Sequence, residues 1–170
     1  MSFLSRTKSR PDAAVIADHH RATGTTGRVL ATASGPKVEI LAFADRFAVR
    51  VGDDWREVGW HQVQTGGWKA ERDEMHWRLT DGSKDAVQLT EPRSLPTVFR
   101  ERVQATIAVE DRFDVPGGGA VVLTARRDLS QRQPTLIWTA FAVRGARMED
   151  PQVKALAEEA LARLRADYDF

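Results

Sequence analysis

Histidine, carboxylate, arginine and tryptophan side chains carry whatever chemistry this chain performs, because its 170 residues include no cysteine. Without thiols there is no disulfide framework, thiolate nucleophile or cysteine-based zinc site. The histidines are His19, His20, His61 and His76. The adjacent pair cannot easily share one metal ion. His61 and His76 could approach across neighbouring strands, but no carboxylate falls at a spacing that completes a tetrahedral set with them. Glu71, Asp73 and Glu74 crowd into one turn, whereas a glycosidase holds two carboxyls apart across a pocket. The chain has no Gly-x-Ser-x-Gly elbow and neither of the glycine-rich loops that cradle phosphates. It therefore reads as non-catalytic, with no metal site and no cofactor.

Two other sets of residues suggest binding. Arg100 and Arg102 flank Glu101, with Arg93 just upstream. Positioned guanidinium groups hold carboxylate or phosphate bidentately, so these three arginines are a candidate surface for an acidic partner. The plain alternative is a solvated helix face. Trp60, Trp68, Trp77 and Trp138 are candidates to line an apolar ligand pocket, with indole N–H groups as polar handles; core packing explains them as well. Trp55, beside Gly52-Asp53-Asp54, is the tryptophan expected to be most exposed.

The elements that must position these residues follow from alternation. Val38 to Phe43, Phe47 to Val51, Trp55 to Trp60, Met75 to Leu79 and Ala86 to Leu89 run in period two. Breaks fall at Asp45-Arg46, Gly52-Asp53-Asp54, Gly66-Gly67 and Asp81-Gly82. Such a pattern marks antiparallel strands joined by tight turns. Ser94 and Pro96 open a short helix over about 95–104 with Leu95, Val98, Phe99 and Val103 on one stripe. Strands follow over 105–113, 120–126 and 135–143. The last, nearly all apolar, is expected at the centre of a sheet, covered on both faces. Asp150 and Pro151 start a closing helix whose stripe includes Val153, Leu156, Ala157 and Leu161. Residues 1–26 read as a flexible polar tail, leaving 27–170 as a single α+β domain.

Composition narrows the class further. Hydrophobic content of 42% and charged content of 29% are those of a soluble globular domain. A net charge of +1 argues against a nucleic-acid footprint. No run approaches a membrane span and no leader is evident, which makes the cytoplasm the default compartment.

The stretch from Leu41 to Val51, the turn bearing Trp55 and Trp60, then Val63, Trp68, Leu79 and Asp81-Gly82 resemble the core of bacterial pleckstrin-homology-like (PH-like) domains. With Arg93 to Val103, Ile137-Trp138 and Asp150-Pro151 added, the layout is similar to an uncharacterised family of small actinobacterial proteins. The resemblance implies a PH-like barrel or strongly curved antiparallel sheet with a mid-chain helix and a C-terminal capping helix, in an intracellular setting. It supplies no catalytic residues, and three strands and a helix follow where a standard PH-like domain ends. The expectation is a non-catalytic adaptor that binds a protein or an anionic group. The alternative is a small-molecule carrier or sensor with a tryptophan-lined cavity. The partner's identity and the oligomeric state stay open.

Overall fold

In the computed structural model, which describes residues 12 to 168, the alternating segments form antiparallel strands joined at three of the four expected breaks; the fourth, Gly66-Gly67, lies within a strand, and the chain turns at residues 70–73 instead. The first four strands are β1 (Ala31–Gly35), β2 (Val38–Ala42), β3 (Arg46–Val51) and β4 (Asp54–Gly59). They make one sheet in chain order. A single 3-10 turn, Trp60–Gln62, leads into a second sheet of β5 (Val63–Lys69), β6 (Glu74–Leu79) and β7 (Lys84–Gln88). The inward faces of the two sheets share one core that includes Ile40, Phe47, Trp60, Met75 and Trp77. The helix α2 (Leu95–Thr106) adds Leu95 and Phe99 to that core.

Of the two expected forms, a barrel or a strongly curved antiparallel sheet, no closed barrel is found among the described residues. Among the described residues the strands form three separate antiparallel sheets, and an isolated bridge between Ser34 and Glu91 ties β1 to the segment that follows the second sheet. Gly35 permits that approach: a Cβ there would lie 2.0 Å from the Gln88 carbonyl oxygen. The architecture is α+β.

The third sheet holds β8 (Ile107–Asp114), β9 (Ala120–Arg127) and β10 (Leu136–Val143). Its order is β10-β9-β8, so the apolar β10 expected at the centre is an edge strand. The central strand is β9, with six of its eight residues buried. One face of this sheet is covered by α3 (Pro151–Tyr168), which begins as expected: the Asp150 carboxylate accepts from the Gln152 amide at 2.9 Å. Val153 and Ala157 are buried against Val121 and Leu123, while Leu156 and Leu161 are half-buried.

Arg126 joins the third sheet to the rest. It is 3% exposed, donating to Thr106 Oγ1 at 2.9 Å and to the Gln64 carbonyl at 3.2 Å. Gln64 is free to accept because it is the extra residue where the β5–β6 register shifts between Val63 and Thr65. A second shift, between Ile107 and Val109, lies where β8 pairs with Arg126.

The expected tail is corrected over its described part. Ala13–Thr23 is a helix, α1, capped by the Asp12 carboxylate, with Val15 and His19 buried. It lies on the outer face of the first sheet, packing on Leu41, Phe43 and Ala48. Residues 1–11 lie outside the described residues. Among the described residues no helix is long and apolar enough to cross a membrane.

Candidate anion-binding site

The three arginines singled out by the sequence do not converge. Arg93 donates to Thr32 Oγ1 and to Glu91, each at 2.7 Å. Arg100 and Arg102 are two positions apart on α2, which turns their side chains about 200° from each other. Arg100 is exposed and Arg102 half-buried.

The four tryptophans do not surround one space either. Trp60 and Trp77 are 0% and 2% exposed. Ring centroids lie 4.9 Å apart for Phe47–Trp60, 5.2 Å for Phe47–Trp77 and 5.5 Å for Trp60–Phe99. The last two pairs are edge-to-face and the first is tilted, and rings packed in this way build a solid core. The Trp60 indole donates to the Phe43 carbonyl at 2.9 Å, which removes it as a handle for a ligand. Trp68 packs at the margin of that cluster, and Trp138 belongs to the third sheet, 6.2 Å from the Tyr168 ring. Trp55 is half-buried under α1: its indole donates to Asp18 at 2.9 Å and its ring meets His19 edge-on.

Around α1 the polar contacts form a latch. The His19 Nε2 lies 2.8 Å from Glu57 Oε1, and a carboxylate can only accept, so Nε2 carries the proton. Thr25 and Arg46 donate to the same oxygen at 2.7 and 2.9 Å. Burial pushes the Glu57 carboxyl up, but the bonds from Thr25, Arg46 and His19 outweigh it and hold the group below its ordinary value. Asp18 is also lowered, first by the Trp55 indole and then by Arg50, against some desolvation. Every polar group in this latch is spent on holding the helix.

A different surface is left with unsatisfied charge. On β5, β6 and β7 the residues facing outward include Thr65, Gly67 and Lys69, then His76 and Arg78, then Lys84 and Ala86. The register shift at Gln64 produces this arrangement, because it sends Val63 into the core and Thr65 and Gly67 out. Gly66 consequently points inward, where a Cβ would come within 2.9 Å of the Phe99 ring. With Gly67 and Ala86 on either side of His76, the face forms a shallow open depression with the imidazole on its floor.

The charges around this depression compensate one another only in part. Lys69 pairs with Glu74 at 3.3 Å, and Asp85 pairs with Arg56 reaching across from β4. Arg78 and Lys84 stand directly opposite each other on β6 and β7, both exposed, with no ion-pair partner among the described residues. Like charges placed directly across a ladder destabilise it, by about 0.2–1 kcal/mol. The His76 Nδ1, shielded from solvent, has no hydrogen-bond partner. A guanidinium fork and an ammonium group together suit an oxyanion such as a phosphate or carboxylate.

The sequence reading missed Arg78 and Lys84. The Asp81-Gly82 signal points the other way: a two-residue loop there would set Arg78 across from Asp85, and it is the three-residue turn of the structure that sets it across from Lys84. His61, the other half of the pair considered for metal, is elsewhere, 3.5 Å from Asp128. Among the described residues no group of three or more histidines and carboxylates is placed to hold a metal ion.

No protein-family model, no curated protein and no solved structure matches this chain.

Proposed function

We propose that this protein is a non-catalytic binding module that takes an anionic group, carried by a protein partner, on the outer face of β5–β7. The observation that carries this reading is the opposed pair Arg78 and Lys84, which have no ion-pair partner among the described residues while Glu74 and Asp85 beside them are paired elsewhere. A strand pair keeps such an arrangement against its electrostatic cost when an anion relieves it. The module is PH-like in this reading: seven strands in two sheets precede α2, in the order expected of that core. A cytoplasmic setting fits the same reading. Binding is through surface charge, so it weakens as ionic strength rises.

The test is a titration of the isotope-labelled full chain with inorganic phosphate, followed by NMR of the His76 ring and the Arg78 guanidinium. The expected result is saturable shifts at these two groups that disappear in Arg78→Gln/Lys84→Gln. Shifts spread evenly over all exposed cations, or unchanged in the double variant, would overturn the proposal.

A further inference from the structure

The outer face of β5–β7 is arranged in rows. Strand register sets Thr65, Arg78 and Lys84 side by side, then Gly67, His76 and Ala86, then Lys69, Glu74 and Gln88. In the third row Lys69 and Glu74 pair with each other. The middle row is low, because a glycine and an alanine flank the imidazole. The first row holds donors only: a hydroxyl, a guanidinium and an ammonium group, all exposed and none with a side-chain partner among the described residues.

Backbone pairing draws two of these donors together. The Leu79 amide donates to the Ser83 carbonyl at 2.8 Å, so Leu79 and Ser83 are a hydrogen-bonded pair. The next pair along, Arg78 and Lys84, is then a non-hydrogen-bonded one, the kind that brings facing side chains closest. Their charged ends can meet on a single group.

We infer that the anionic group is a phosphate monoester on a phosphorylated side chain of the protein partner, an inference that rests on the function proposed above. Charge separates phosphate from carboxylate. Glu74 and Asp85 are taken by Lys69 and Arg56, which leaves the charges of Arg78 and Lys84 unopposed. A carboxylate offsets one of them, whereas a phosphate monoester carries about 1.5 to 2 negative charges at neutral pH. Oxygen count points the same way. An arginine fork takes both oxygens of a carboxylate, but a phosphate keeps a third for Lys84 or the Thr65 hydroxyl.

Shape and the surrounding charges separate the carriers. Sites for small molecules enclose most of the ligand, and this depression is open, so a phosphorylated metabolite would be gripped by its phosphate alone. A protein partner adds contacts on either side. An anionic bilayer would have to lie over the turns at both ends of the face, where Glu71, Asp73 and Asp81 stand exposed against one cation, Arg72. Those acids repel an extended anionic surface and leave room for one compact group between them.

The experiment is an NMR titration of the isotope-labelled full chain at one ionic strength. Its probes are a blocked alanine pentapeptide with phosphoserine at the centre, the same peptide with glutamate there, inorganic phosphate, and vesicles of phosphatidylcholine with phosphatidic acid. The expected result is saturable shifts at the Arg78 guanidinium, with the phosphoserine peptide bound at least about tenfold more tightly than the glutamate peptide. It should also bind more tightly than inorganic phosphate, and the vesicles should not retain the chain. Lys84→Gln, folded by circular dichroism, should bring the two peptides to similar affinities. Equal affinities in the parent overturn the inference but leave anion binding standing, since both peptides still shift Arg78. A phosphoserine peptide held no more tightly than inorganic phosphate, or retention by the vesicles, overturns the choice of carrier. Absence of any shift at Arg78 overturns both the inference and the function it rests on.

Discussion

The core enclosed by β1–β7 holds four packed rings among its aliphatic side chains, whereas the buried residues beneath β8–β10 are aliphatic only. In the first, Phe47, Trp60, Trp77 and Phe99 are 3% exposed or less and touch one another, with two sheets and α2 around them. In the second, Val121, Leu123, Val153 and Ala157 are buried, but the surrounding Phe113, Ala140, Ala142 and Leu161 are only partly so. One sheet face and one helix enclose much less than two sheets and a helix. The seven-strand unit is thus complete within its own chain. The three-strand unit leaves the apolar side chains of β10 only half-covered.

The largest expected effect tests this contrast directly. Trp60→Ala should destabilise by about 3–5 kcal/mol, since a wholly enclosed indole leaves a cavity that its rigid neighbours cannot fill. Leu123→Ala should fall near the low end of its class, about 2–3 kcal/mol, because α3 and the half-exposed β10 can close in on the space. Urea denaturation of both variants provides the comparison. Equal losses would mean that the two cores are equally rigid, and the contrast would fail.

The same contrast governed what could be read from the sequence. Alternation located eight of the ten strands to within a few residues, because that pattern arises from local backbone geometry; β5 was hidden by Gly66-Gly67, which read as a break and lies within the strand. Ile40, Leu41, Ala42 and Phe43 are an unbroken apolar run, which calls for cover on both faces. The element that supplies it, α1, escaped notice because it is anchored by Asp18 and His19 as much as by Val15. For β10 the error ran the other way. An apolar strand reads as central from its composition, which does not reveal the order in which strands pair. Arg78 and Lys84 looked ordinary because sequence does not reveal whether a carboxylate reaches a given cation.

A second, smaller effect separates α1 from the ring core it overlies. Glu57 and Asp18 both have lowered values in the folded chain. Their contribution is therefore present above the ordinary carboxylate range, about 3.9–4.3, and is lost as pH falls through their still lower folded values. Acid should release α1 before it melts the core. NMR of the indole protons can follow this. The Trp55 signal should lose its protection as pH drops below that range, while the Trp60 signal, bonded to the Phe43 carbonyl, stays protected. Simultaneous loss of both would show that α1 and the ring core unfold together.

The smallest expected effect has the opposite sign. Lys84→Glu replaces a repulsive cross-strand pair with an attractive one opposite Arg78. On an exposed ladder such exchanges are worth about 0.2–1 kcal/mol, here in the stabilising direction. The ring core beneath is unaffected, since Val87 and Trp77 keep their places. The variant should thus melt slightly later than the parent at low ionic strength, and the gain should shrink as salt screens both pairs. It should also lose the phosphate-dependent shifts at His76. Stability and binding moving in opposite directions is the signature expected of a site maintained at the expense of the fold. Thermal denaturation at two ionic strengths, read beside the phosphate titration, checks both halves. Lower stability in Lys84→Glu would mean that Lys84 makes a favourable contact in the parent and that the opposed pair is not under strain.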